Sequence, residues 1–188
     1  MIDCPAVWTL FPLAIAAFVL ASWLVAKTGG LDNRVARAGA AAAGAIVGLF
    51  AFALPFFEQP VLHSAILNYA IGIPLAALGV VARVYPMMYL LRRRTTTTLD
   101  KVTTIVETGP YGIVRHPQYV GGLLMLAGWF LIWGALHCLC LLPLFALLTL
   151  AQASIEETYI LEKEFGEEYR TYKERVGMFF PTLKRKEE

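Results

Sequence analysis

Apolar residues in this chain run on for longer than the buried strands or one-sided helices of a water-soluble domain require. The runs cover about 5–26, 38–57 and 66–91, followed by one stretch from Pro117 to Ile155 that is far too long for a single crossing. A bilayer-crossing helix needs roughly 20 apolar residues. The last stretch therefore divides into two spans, about 117–133 and 138–155, with a turn near Gly134 to His137. The pattern predicts an all-α integral membrane protein of about five transmembrane helices. The last two form a helical hairpin, and a cytoplasmic helical tail follows. The first span has no basic segment ahead of it, and its apolar run is long enough to cross, so it reads as a span and not as a signal peptide.

Smaller features refine these elements. Gly44 and Gly48 form a small-xxx-small pair that predicts close helix packing inside the bundle. Pro74 and Pro86 predict a kink in the third span. In the tail, Tyr159, Phe165, Tyr169, Tyr172 and Val176 recur at helical spacing, which predicts packing against the bundle or the lipid surface. Thr95 to Thr98 reads as loop or helix-end capping. No linker divides the chain, so residues 1–188 form a single membrane domain.

The basic residues orient it. With five spans, Lys27, Arg34, Arg37, Arg92, Arg93, Arg94, Lys101, Arg115 and the seven basic residues of the tail all fall on one side. Only Arg83, inside the third span, is left over. The positive-inside rule then sets the N-terminus outside and the C-terminus in the cytoplasm. Composition agrees: 58% of residues are hydrophobic and only 16% charged, against about a quarter charged in soluble domains. A net charge of +2 argues against a nucleic-acid partner. Cys138 and Cys140 beside His137 lack an evident fourth ligand, so no metal is assigned. Cys4 shares their outer face; a disulfide and free core cysteines are both open, with free thiols preferred.

Chemistry concentrates at the cytoplasmic face. Gly109-Pro110-Tyr111-Gly112 starts a turn, and Arg115-His116-Pro117-Gln118-Tyr119 leads into span four, with Pro117 suited to the first helical position. The helix N-terminus and the Arg115 fork suit an anion, His116 and Tyr119 share a face, and Gly121 and Gly122 would let another group come close. A capped helix touching lipid headgroups is the plainer reading. Glu156 and Glu157 stand where the last span ends; facing water they are unremarkable, and facing the Arg115–Tyr119 corner they could hold a cation. Arg83 lies about 13 Å along the helix from Arg92. It either snorkels to the interface or enters a polar pocket.

These residues, with Phe165-Gly166-Glu167-Glu168-Tyr169, Tyr172, Pro181 and the Leu78-Gly79…Arg83 of span three, resemble the isoprenylcysteine carboxyl methyltransferase and phospholipid methyltransferase superfamily from about Leu78 to Pro181. The resemblance implies S-adenosylmethionine bound at the cytoplasmic end of the bundle, in a region formed by 92–119 and 156–181. It implies a lipid or lipidated small-molecule or peptide substrate arriving from the membrane. The implied cofactor-binding residues are Tyr111, Arg115, His116, Tyr119, Gly121, Glu156 and Glu157, with Arg83 and Glu157 as catalytic candidates. The chain departs from the pattern in three places. Ala151-Gln152-Ala153-Ser154 lacks the arginine that carboxyl-methylating relatives often carry, which leaves a phospholipid amine open as the acceptor. The gap from Glu-Glu to Phe-Gly is about a residue longer, and Gly79-Val80-Val81 is an incomplete Gly-x-Gly. The competing readings are an NADPH-dependent sterol-reductase-like enzyme, which shares the Arg-His-Pro-x-Tyr corner, and a non-enzymatic membrane scaffold.

Overall fold

The computed structural model describes residues 2–29, 34–93 and 104–182, and the side chains of Arg34, Arg37 and Ala41 are left aside. The expectations for Arg94, Thr95 to Thr98, Lys101 and the basic residues after 182 lie outside the described residues. All regular elements among them are helical: α1 (Val7–Lys27), α2 (Arg34–Ala53), α3 (Gly72–Arg92), α4 (Pro117–Trp133), α5 (Leu136–Cys140), α6 (Leu142–Glu156), α7 (Glu162–Phe165) and α8 (Glu167–Arg175). A π-turn at Ile66–Ile71 leads into α3, and another at Glu157–Leu161 joins α6 to α7.

The long helices run alternately up and down. At one end meet the N-terminus, the α2–α3 connection and the α4–α6 turn: Ile2 exchanges backbone bonds with Phe56 and Glu58, the Leu62 amide donates to the Gly134 carbonyl at 2.7 Å, and Trp8 meets His137 edge to face. Gly134 ends α4 with φ of 61°, a left-handed cap that a side chain would strain. The predicted hairpin turn is therefore in place, with α5 filling it. All three cysteines are free, and Cys138 is buried against Gln59.

Four helical stretches are long and apolar enough to cross a membrane: Val7–Lys27, Ala38–Phe56, Ile66–Arg92 and Leu142–Phe165. Pro117–Trp133 is as apolar but has 17 residues, about 25 Å of rise. Helix surfaces match a lipid environment, with Leu13, Leu20, Val80, Val81, Leu147 and Leu150 among many large apolar side chains left exposed. The last span differs from its expected end at residue 155. The helix continues through the π-turn to Phe165; Glu157 turns inward to polar partners, and the half-open Glu156 is bonded by Tyr119.

One packing expectation is corrected. A Cβ on Gly48 would meet nothing within 4 Å, and one on Gly44 only the tip of Phe18 at 3.4 Å, so this pair does not make the close helix contact. That contact belongs to α3 and α4, the most extensive helix pair among the described residues. There a Cβ on Gly79 would lie 2.2 Å from the Met125 amide, on Gly128 2.2 Å from that of Ala76, and on Gly121 2.4 Å from that of Arg83. Backbone meets backbone at heptad intervals, the arrangement small residues permit where lipid offers no hydrophobic drive for association. The irregularity in the third span precedes Pro74, as the π-turn; the proline has no N–H for the carbonyl four residues back.

A second apolar cluster seats the tail. Tyr169, Tyr172 and Val176 are buried with Ile105, Leu161 and Phe165, so the helical stripe of the tail packs on the loop before α4.

Candidate functional site

The site grows from a return of the chain. The segment after α8 runs beside the residues that open α4, with the Arg115 amide donating to Gly177 at 2.8 Å and the His116 amide to Met178 at 3.1 Å. His116 is then the N-cap of α4, with Pro117 next, as the sequence predicts. The Arg115 and His116 amides ahead of the helix are thus taken by the tail.

Arg115 was expected to offer its fork to a ligand carboxylate. It offers it to Glu157: Nε donates to Oε1 at 2.7 Å and Nη2 to Oε2 at 3.2 Å. Nη1 donates to the Lys173 carbonyl at 3.1 Å and to that of Val176. His116 Nε2 lies 3.0 Å from Glu157 Oε1, and Lys173 Nζ lies 3.5 Å from Oε2 and also pairs with Glu162. The side chains of Arg115 and Glu157 are only 9% and 2% exposed. A buried carboxylate is tolerable here because cationic and imidazole donors surround it.

Glu156 differs. Its side chain is 39% exposed. Tyr119 Oη donates to its Oε2 at 2.9 Å, and His116 Nδ1 stands 3.8 Å away. The His116 and Tyr119 rings stack at 5.3 Å, and Phe179 meets the imidazole edge to face. One turn earlier on α6, Gln152 Nε2 is buried with no partner among the described residues. An orphaned donor of this kind calls for a ligand or a functional explanation. The adjacent glutamates thus have different environments: one is enclosed in an ion-pair network and one faces an aromatic, half-open corner.

The other candidates divide between packing and the site. Tyr111 is buried at the junction of α3, loop and tail. Its hydroxyl accepts from Gln118 Nε2 at 2.8 Å, its carbonyl accepts from Tyr172 Oη at 2.6 Å, and burial pushes its phenol up to about 12. Burial likewise raises Tyr169 and Tyr172 well above the ordinary tyrosine range, so these two remain neutral. What comes close to Gly121 is the α3 backbone. Arg83 reaches the first turn of α4, with Nη1 3.4 Å from the Gln118 carbonyl. Lys173, Gln152 and the 176–178 backbone carry no motif and went unmarked in the sequence. Only the i, i+4 spacing of Gln152 and Glu156 on one helix could have flagged any of them.

The sequence model of a family described as phospholipid methyltransferase matches residues 67–168, more than half of the chain. No curated protein and no solved structure matches at a significant level.

Proposed function

The chain belongs to the phospholipid methyltransferase family, and from that premise we propose that it transfers a methyl group from S-adenosylmethionine to the polar head of a membrane lipid. The observation that carries the reading is the half-open Glu156 carboxylate, set against Tyr119 and the stacked His116 ring. Such a corner fits a cationic ligand: a carboxylate for an ammonium, and aromatic faces for a sulfonium. The unpartnered Gln152 amide adds a donor for an acceptor atom on the same ligand. Arg115 and Glu157 would serve by fixing His116 and the end of α6, since their own polar atoms are already engaged.

Bound there, S-adenosylmethionine supplies an already good electrophilic methyl. The protein has mainly to align the acceptor and keep water out. The tail cluster of Tyr169, Tyr172 and Val176, with Phe179 against His116, supports the second task. The family match favours this reading over an NADPH-dependent reductase and over a scaffold.

The proposal includes a single membrane domain crossing five times, with α4 as the short fifth span, the N-terminus outside and the corner at the cytoplasmic face. The segregated basic residues support this orientation. Calorimetric titration of the detergent-purified protein with S-adenosylmethionine and, in parallel, NADPH tests the reading. Binding of the former alone is expected. Binding of NADPH alone moves the chain to reductase chemistry, and binding of neither removes the cofactor assignment.

A further inference from the structure

Arg83 differs from every other described cation near the corner. It makes no ion pair among the described residues, and its hydrogen bond to Gln118 at 3.4 Å is at the long limit. A basic side chain at this depth of a span is costly unless it reaches something polar. Arg83 is itself exposed, and on its face of α3 Val80 and Met87 are exposed apolar side chains while Gly79 and Pro86 are buried, so Arg83 sits at the edge of the α3–α4 seam with one side open to the lipid.

The backbone makes room for it. A Cβ on Gly122 would lie 2.9 Å from Arg83 Nη1, with the next atom, Cζ of the same side chain, at 3.9 Å. Gly121 lets the two helices touch, whereas Gly122 leaves a lane in which the guanidinium crosses α4. The crossing carries the charge from the level of Gly121 to the Gln118 carbonyl in the first turn of α4. The open charges around this end of α4 are then a cation on the lipid-facing side and the Glu156 carboxylate on the α6 side. That sign pattern complements a headgroup with an anion next to its chains and an amine beyond.

We infer that Arg83 is a specificity residue that takes the phosphodiester of a phospholipid, whose amine end is thereby directed toward the Tyr119–Glu156 corner. A guanidinium fork suits two phosphate oxygens. The inference rests on the methyltransferase reading for the fate of the amine, not for the phosphate contact.

The test measures equilibrium binding to the full chain in neutral detergent. The probes are a fluorescent short-chain phosphatidylethanolamine and a fluorescent long-chain alkylamine without phosphate. S-adenosylmethionine is titrated alongside, with wild type, Arg83→Gln and Gly122→Ala. Arg83→Gln is expected to weaken phosphatidylethanolamine about tenfold or more and to leave the alkylamine and S-adenosylmethionine unchanged. Gly122→Ala, which keeps the charge and meets only a flexible side-chain tip, is expected to give a smaller loss of the same selectivity; it also carries the test if Arg83→Gln does not fold. Equal effects on both amines, or none, would overturn the inference. So would a loss confined to S-adenosylmethionine, which would assign Arg83 to the cofactor carboxylate. A wild type that does not bind S-adenosylmethionine, yet prefers the phospholipid through Arg83, would uphold the phosphate contact and remove the methyltransferase reading.

Discussion

Glu156 and Glu157 are neighbours in the chain and differ in almost every physical respect. Glu157 is enclosed, paired with Arg115 and touched by His116 and Lys173. Glu156 is half-open and held by one tyrosine hydroxyl and a more distant imidazole nitrogen. The enclosed region has its polar atoms satisfied from within and functions as a clasp between the last span, the start of α4 and the tail. The open region keeps capacity for a ligand. A shared motif can therefore hide a division of labour: one carboxylate builds the corner and the other is available at it.

The largest effect is expected from breaking the clasp. Glu157→Gln leaves the Arg115 charge buried without its counter-ion, a change of roughly 3 kcal/mol or more. Thermal unfolding in detergent should show a clear drop in midpoint, with earlier proteolysis of the tail; an unchanged midpoint would mean that the clasp is not structural. Glu156→Gln is expected to do the opposite. Its midpoint should stay near wild type, while S-adenosylmethionine affinity falls about tenfold by loss of a charge-assisted contact. If both variants lose stability equally, the distinction between the two sides fails.

Tyr119→Phe removes one hydrogen bond to Glu156 and keeps the ring stacked on His116. A several-fold loss of cofactor affinity is expected, about 1 kcal/mol, at unchanged stability. Calorimetry that finds full affinity would remove the hydroxyl from the binding account. The smallest effect is expected from Lys173→Met. The lysine is part-exposed and shares itself between Glu157 and Glu162, so the cost should be no more than about 1 kcal/mol. It should appear as slightly faster proteolysis of α8, with cofactor affinity intact.

Much of the fold is legible in the chain. The hairpin turn at Gly134, the helix start at Pro117 and the Gly-Pro turn each depend on local chemistry, and each stands where the sequence puts it. The close-packed seam was misread at Gly44 and Gly48, because small residues permit close approach without naming the partner. Gly79 meets Met125, Gly121 meets Arg83 and Gly128 meets Ala76 only once α3 and α4 pack in this register. The partners of Arg115 were hidden similarly, since Glu157, Lys173 and Val176 lie about forty to sixty residues away.

The sequence by itself determined the class of molecule and the corner that holds its polar residues. Long apolar helices are a local answer to lipid, where every backbone group must bond within its own segment. Only the tertiary structure decided which of two adjacent carboxylates is enclosed in an ion-pair network and which stays half-open. That outcome depends on desolvation and on donors brought in by a returning tail, and neither is a property of the residues around Glu156 and Glu157 alone.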